Sequence, residues 1–306
     1  MTQSRLHTPV LLQESVDALN LTGSAIAVDA TLGEGGHARE ILARLKESGK
    51  LIGIERDVRM ISTLALSDPR LVVAEGNFRD VSGILGSLGH DRVSAALADL
   101  GISARHYQTP SWGFSFDDGP LDMRLGVDGL TAADIVNGWD EDSFARMLLG
   151  AGERQGRKIA RGLVEARRTK MISRTSELAE LVGKILGGPS RRGKSHPATK
   201  VFRALRESVT GELEDLKAFI PGAVSRLAEG GRLVILVYTW EEERVVRVAA
   251  DALVKGCICP PAFPECRCGK TPTLRWIARK GVRPSEGEVK ANVSARSAKL
   301  LVMERI

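Results

Sequence analysis

A glycine turn set between an apolar strand and a helix constrains this chain more than any other feature. Residues 28–40 read VDATLGEGGHARE. Ile26-Ala27-Val28 is a short buried strand, Gly33-Glu34-Gly35-Gly36 a turn, and a helix begins at His37-Ala38-Arg39. Glycine admits positive φ and lets a ligand approach the backbone with no Cβ in the way. Such loops at strand carboxyl ends are where open α/β sheets bind nucleotide-like ligands. Apolar runs recur at 26–28, 51–54, 71–74 and 93–98, with amphipathic segments at 37–48, 57–66 and 80–88 between them. That alternation predicts a doubly wound parallel sheet.

The strand pattern then stops. Residues 104–125 are loop-like, and helical periodicity fills about 131–186 as TAADIVNGW, DEDSFARMLLGAG, ERQGRKIARGLVEARRT and RTSELAELVGKIL. The basic loop GGPSRRGKSHPAT follows, where Ser195 is expected to cap a helix with Pro197 in its first turn. That helix, ATKVFRALRESVTGELEDLKAFI, reads as one long amphipathic element. Strand character returns at 232–239, at 273–278 and in the closing KLLVMERI, with a helix at EEERVVRVAADALV. The expected fold is thus a seven-stranded sheet with a helical domain inserted between its fourth and fifth strands. The boundaries expected are 1–106 and 207–306 for the sheet domain and 107–206 for the insertion.

Positive charge is concentrated in one segment. Residues 151–207 hold 15 Lys/Arg against 5 Asp/Glu, while the remainder holds 29 against 33. So concentrated a positive segment exceeds an ordinary solvated helix face and points to a polyanion, most simply nucleic acid. No apolar run approaches the ~18 residues of a membrane span. The N-terminus, MTQSRLHTPVLLQESV, lacks the layout of a signal peptide, so a cytoplasmic protein is expected.

Two ligand classes compete for the glycine turn. Gly33-x-Gly35-x-x-Ala38 fits a loose dinucleotide fingerprint, with Glu55 roughly 20 residues further on. A dinucleotide loop cradles a pyrophosphate, and Asp29 and Glu34 would set negative charge beside it. S-adenosylmethionine (SAM) has no phosphate and carries an ammonium and a sulfonium, which suit those acids. Glu55 closes the next strand, where its carboxylate can accept from both ribose hydroxyls. The residues favour SAM. Asn77-Phe78 and Asp99–Ser103 follow the third and fourth strands and fall at the same crevice, with Phe78 able to pack on an adenine face. Asp99 is the candidate for chemistry. A carboxylate accepting one N–H of an exocyclic amine would aim its lone pair at a methyl group and stabilise the cation that forms. A target base must be flipped out or single-stranded, and Trp112 and Phe114 are candidates for stacking or for the insertion's core.

All four cysteines lie in CICPPAFPECRC, at Cys257, Cys259, Cys266 and Cys268. Each pair is separated by one residue, tighter than the two to four usual between zinc ligands. Reduced thiols on a loop are expected and no metal, with zinc analysis as the deciding measurement.

These motifs together resemble the MraW family, the small-subunit ribosomal RNA methyltransferases H. The matching stretches are HTPVLL (7–12), DATLGEGGH (29–37), GIERD (53–57), NF (77–78), DLGIS (99–103), GFSF (113–116), DGPLDMR (118–124), HPAT (196–199) and ARSAKL (295–300). The resemblance implies an α/β class I SAM-dependent methyltransferase sheet, Rossmann-like, with an inserted helical domain. It implies methylation of a P-site cytosine N4 in 16S rRNA, within the 30S subunit or a late assembly intermediate, with no obligatory protein partner. Carried over by position, the cofactor contacts fall on Gly33, Gly35, Gly36, His37, Glu55, Phe78, Asp99 and His106, with Gln108 as the alternative to His106. The catalytic positions are Asp99 and Ser103. Several positions depart from the pattern: Ala104 stands where the family has a second serine and His106 where it has a glutamine. Where the family reads Phe-His-Ser-Leu-Glu-Asp-Arg, this chain has Tyr238-Thr239-Trp240-Glu241-Glu242-Glu243-Arg244. Where it reads Arg-Ile-x-Val-Asn, this chain has Arg206-Glu207-Ser208-Val209-Thr210. An amino-methyltransferase acting on another RNA or on DNA, or a non-catalytic paralogue, are the alternatives.

Overall fold

The structure is a computed structural model that describes residues 9–188, 196–255, 257–260, 265 and 267–306. The expected cap at Ser195, as well as Cys266, His7 and Thr8, lies outside the described residues. The chain divides into two compact units. One takes the chain through Gly101 and again from Leu213, and the other is Ile102–Glu212.

The first unit is built on seven strands: β1 (Ile26–Asp29), β2 (Lys50–Glu55), β3 (Leu71–Glu75), β4 (Val93–Asp99), β5 (Leu227–Val237), β6 (Leu274–Val282) and β7 (Lys299–Arg305). Their order is β3-β2-β1-β4-β5-β7-β6. The first five pair in parallel, and β7 runs antiparallel to both β5 and β6. Successive residues of a strand point to opposite faces, and the sequence fills both with apolar side chains. Val28, Ile52, Ala96, Leu233 and Ile235 enter one core with Val81, Leu216, Phe219 and Val246 from helices Val81–Ser87, Glu212–Arg226 and Trp240–Lys255. Ala27, Leu51, Ala95, Leu97, Val234 and Leu236 enter the other with Val16 of helix Leu12–Ala18, Leu19 just after it, and Ile41 and Leu42 of helix Gly36–Arg44. Burial on both faces explains why β1, β2 and β4 read as continuous apolar runs rather than alternating ones. Sequence order reverses between β1 and β4, which opens a crevice outside their carboxyl ends.

The second unit packs five main helices: Ala132–Gly138, Glu141–Gly150, Gly156–Thr169, Thr175–Leu186 and Thr199–Thr210. They close on a core of Ile135, Phe144, Leu148, Ile159, Leu163, Leu178, Val182, Val201 and Leu205. The expected long helix over 198–220 is two. Gly211 takes φ 69°, ending Thr199–Thr210 before Glu212–Arg226 begins. A glycine in the left-handed region after a last helical turn is a common stop. The units accordingly divide at Leu213 rather than 207, and at Ile102 rather than 107, directly after Gly101 with φ 102°. Pro197 precedes its helix instead of entering the first turn. His196 makes that entry, its Nδ1 accepting from the Ala198 N–H at 3.1 Å. The helix expected over 57–66 stops at Ser62, capped at its start by Asp57. Among the described residues no helix is long and apolar enough to cross a membrane.

Candidate active site

Three carboxylates gather at the carboxyl ends of β1, β2 and β4. Asp29 ends β1 and is 2% exposed. Register sets Asp29 opposite Gly53 of β2 and Leu97 of β4, which brings Glu55 and Asp99 to the same edge. Backbone bonds fix the loop above them: Ala30 N–H donates to Leu97 O at 2.8 Å and Leu32 N–H to Ile54 O at 3.0 Å. The glycine turn then returns over the sheet. Gly33 N–H donates to Glu55 Oε2 at 2.9 Å, while Asp57 N–H donates to Oε1 at 2.8 Å. Glu55, at the end of β2, therefore straps the turn. Gly33 has φ 51° and Gly35, at the helix start, φ 75°. A Cβ on Gly36 would come within 2.3 Å of Pro9 Cγ, so the helix start is pressed against the N-terminal segment.

Burial drives the chemistry of this cluster. Desolvation, reinforced by Asp99 and Glu55, pushes the Asp29 carboxyl up to about 7 against the pull of the Thr31 N–H. His37, the second residue of helix Gly36–Arg44, is 5% exposed and sets Nδ1 3.7 Å from Asp99 Oδ2. Burial lowers its pKa while Asp99 and the Val10 backbone raise it, and burial prevails. The imidazole is thus neutral near pH 7, and its Nε2 is buried without a hydrogen-bond partner.

Asp99 has a partner that the sequence did not announce. Tyr238 follows β5, two residues beyond Leu236, the β5 residue that pairs with Asp99. Its hydroxyl donates to Asp99 Oδ1 at 2.7 Å. Burial and the adjacent carboxylate hold the phenol far above its ordinary pKa, so it remains a donor. The Asp99 N–H in turn donates to Thr31 Oγ1 at 2.8 Å. The neighbouring departure is equally ordered. Thr239 caps helix Trp240–Lys255 by accepting the Glu242 N–H at 3.2 Å, and Glu242 Oε2 accepts the N–H groups of Tyr238 (2.7 Å) and Thr239 (3.0 Å). This is a capping box.

Phe78 opens a short turn after β3 and packs edge-on against Phe219, ring centroids 5.3 Å apart. Behind it, Asp215, 4% exposed, accepts from Asn77 (2.6 Å), Arg79 (3.0 Å) and Arg56 (3.3 Å). One carboxylate thereby ties the turns that follow β2 and β3.

The other expected residues belong to the second unit. Ser103 caps helix Ala104–Gln108, its Oγ accepting the Arg105 N–H at 3.2 Å. His106 is 3% exposed, its ring edge-on to Trp112 (5.2 Å) and Phe114 (5.1 Å). Phe114 is buried in that unit's core and Trp112 packs against it. In the altered segment after HPAT, Thr210 Oγ1 donates to Arg206 O at 2.9 Å and Arg206 reaches the Tyr107 hydroxyl at 2.8 Å.

A seven-stranded sheet with one antiparallel strand next to the edge, a glycine turn after β1 and acids at the ends of β1, β2 and β4 define a class I methyltransferase. The sequence matches the MraW methylase family over residues 4–306, and the chain belongs to that family. It is 40% identical to the ribosomal RNA small subunit methyltransferase H of Clostridium botulinum (strain Kyoto / Type A2), over 98% of this chain and 99% of the relative. It is 38% identical to the protein of the same name from Brevibacillus brevis, over 100% and 99%. Among solved structures, an rRNA methylase from Streptococcus thermophilus is similar at a TM-score of 0.42 and 12% identity, over 98% of this chain and 99% of the other.

The cofactor of the class is SAM, and the residues fit it. The Asp29 carboxylate is buried, poorly solvated and repelled by Asp99 and Glu55, a burden that a cation relieves. Neutral His37 adds no competing charge. A Cβ at Gly33 would meet only Thr31 O, at 3.8 Å, and one at Gly101 would meet nothing within 4 Å, so both backbones lie open.

Proposed function

We propose that this methyltransferase acts on 16S rRNA, transferring the methyl group to the exocyclic N4 of a P-site cytosine. The reading is carried by the Tyr238–Asp99 pair at the end of β4, where a carboxylate is held by a donor that stays protonated. Relatives of nearly the same length that are named as small-subunit rRNA methyltransferases support the choice of RNA.

SAM supplies an activated methyl on a sulfonium, with its own leaving group. The chain's residues then have to bind, align and manage one proton. Gly33 leaves the backbone open to the cofactor, while Gly35 and Gly36 let the turn that would hold it pack on Leu64, Leu66 and Pro9. Glu55 would hold its ribose and Phe78 its adenine, with His37 and Asp29 toward its charged end. Asp99 accepts one N–H of the cytosine amine, which turns the nitrogen lone pair toward the methyl group. As the nitrogen becomes cationic, the fixed carboxylate stabilises it without reorganisation and then takes the N–H proton, leaving neutral N4-methylcytosine. Tyr238 anchors one oxygen of that carboxylate so that alignment supplies much of the rate. Ser103 and His106 shape the chain that follows β4 through the helix cap and the aromatic packing.

The basic helices of the second unit are proposed to hold RNA phosphates. Arg157, Lys158 and Arg161 line a groove of about 570 Å³ with Gly162, Glu165 and Ile185. The exposed pairs Arg157–Asp142 (3.9 Å) and Arg161–Glu141 (3.4 Å) are weak and exchange readily for phosphates. The substrate is the 30S subunit or a late assembly intermediate.

The test uses 30S subunits from a strain deleted for this protein and labelled SAM. Wild type labels one cytidine, recovered as N4-methylcytidine by mass spectrometry. Asp99→Ala keeps SAM affinity but loses transfer. Normal transfer by that variant overturns the role of Asp99. Binding to 30S subunits with no transfer by wild type identifies a non-catalytic paralogue instead. Label in another RNA or in DNA identifies a different substrate.

A further inference from the structure

The cysteine loop joins helix Trp240–Lys255 to β6, and the sheet topology fixes which end it occupies. β5 and β6 both run antiparallel to β7, so β6 is parallel to β5. A chain that leaves the carboxyl end of β5, returns through a helix and enters β6 crosses below the amino ends of the strands. The cysteines therefore lie at the opposite end of the sheet from the Asp29–Glu55–Asp99 crevice.

Within that loop, Sγ atoms of Cys257, Cys259 and Cys268 all lie within 4.8 Å of one another. Cys257 and Cys268 are 3.8 Å apart, far longer than a disulfide of about 2.05 Å. Zinc–thiolate bonds of about 2.3 Å at tetrahedral angles imply sulfur–sulfur edges of about 3.8 Å. Two backbone amides also point at sulfur: Ile258 N–H to Cys268 at 3.5 Å and Arg267 N–H to Cys259 at 3.3 Å. Such amides fix the orientation of the sulfurs within the cluster.

The exposure pattern agrees. The three cysteines are half-buried, whereas Ile258, Pro260, Glu265, Arg267, Gly269 and Lys270 are exposed. Ile258 is 65% exposed. Apolar burial would turn the isoleucine inward first, so hydrophobic packing does not explain convergent sulfurs. A shared ion does.

We infer that Cys257, Cys259 and Cys268 bind a thiophilic divalent cation, zinc, which staples the entry to β6. The expectation of metal-free thiols drawn from the spacing is revised because the loop folds back, so that ligands distant in sequence meet. The ion sits away from the crevice and is structural. Thr273 N–H donates to Leu253 O at 3.0 Å, closing the loop at its base, and the metal would hold its outer part. Zinc prefers such soft ligands, and the site needs no redox step.

The full chain, purified without chelator from zinc-supplemented medium, should carry about one zinc per chain by inductively coupled plasma mass spectrometry. A mercurial titrated against its thiols should release that zinc in proportion. Cys259→Ser and Cys268→Ser should each lose it. Cobalt(II) added to the apo protein should give a thiolate-to-cobalt charge-transfer band in the near ultraviolet. Phenanthroline should lower the melting temperature and leave SAM affinity within about twofold, since the ligands lie away from the crevice. Wild-type protein without bound zinc, whose cysteines all react as thiols or recover as disulfides, overturns the inference even if neither variant folds. Iron in place of zinc overturns it as well.

Discussion

At the scale of single residues, Asp99 and Tyr238 pair at the end of β4, where the proposed methyl transfer takes place. Tyr238→Phe removes only the oxygen that donates to Asp99 at 2.7 Å and keeps the ring in place. We expect kcat to fall about tenfold, the worth of one hydrogen bond to a charged acceptor. The KM for SAM should stay within about twofold, because the lost bond orients a reacting group and not the cofactor. An unchanged kcat would remove Tyr238 from the mechanism. Asp29 makes a separate prediction. Its carboxyl is raised from 3.8 to about 7, so the cofactor-free protein holds that proton up to neutrality. A cationic ligand binds better once the proton leaves. SAM affinity should therefore rise as pH goes from about 6 to 8, with a proton released on binding. Calorimetry in two buffers of different ionisation enthalpy measures that release. The sign for folding is the reverse. The folded state binds this proton more tightly than the unfolded chain does, so apo stability falls as pH rises from about 4 to 7. Asp29→Asn should flatten both dependences and weaken SAM binding about tenfold, the equivalent of ~1.4 kcal/mol.

Elements rather than residues decide how the crevice keeps its shape. The turns after β2 and β3 depend on Asp215 of helix Glu212–Arg226, whose carboxylate serves Arg56, Asn77 and Arg79 together. Asp215→Ala should cost about 3 kcal/mol in urea unfolding, since it strands the donors around a buried acceptor. Asp215→Asn should restore part of that. A loss below about 0.5 kcal/mol would show that the turns hold themselves. None of this clamp was legible in the sequence, because Asp215 lies 138 residues from Asn77 and sits in an unremarkable amphipathic stretch. The strands were legible for the opposite reason. Burial on both faces leaves continuous apolar runs such as Leu51–Ile54, visible without tertiary knowledge. The glycine turn, Glu55 and Asp99 followed because strand ends in an open sheet share one edge. What failed were local signals that lose to a single backbone angle. Gly211 sits inside a helical pattern yet breaks it at φ 69°. Thr239-Trp240-Glu241-Glu242 looked like a lost family motif, whereas it is a helix cap that frees Tyr238 to reach Asp99.

Over the whole molecule, positive charge is concentrated in one segment, residues 151–207, and that concentration makes the last prediction. The 15 Lys/Arg of residues 151–207 outnumber their acids threefold, whereas the rest of the chain is acidic on balance. Arg157 and Arg161 project from helix Gly156–Thr169 with side chains 76% and 79% exposed, so their removal disturbs no core. If this face holds RNA phosphates, binding to 30S subunits must release counterions and weaken steeply with salt. Each phosphate contact to single-stranded RNA contributes about 0.7 to the log–log slope of affinity against salt. The double variant Arg157→Ala, Arg161→Ala should therefore lower the slope by about 1.4 and weaken 30S binding at low salt. SAM affinity should not move, because the glycine turn, Glu55, Phe78 and Asp99 lie in the other unit. Filter binding over a salt series reads the first, calorimetry the second. A slope equal to wild type would mean that the RNA is held elsewhere, and the concentrated charge would then need another partner. A lower slope with intact SAM binding would assign substrate capture to the inserted helices and cofactor chemistry to the sheet.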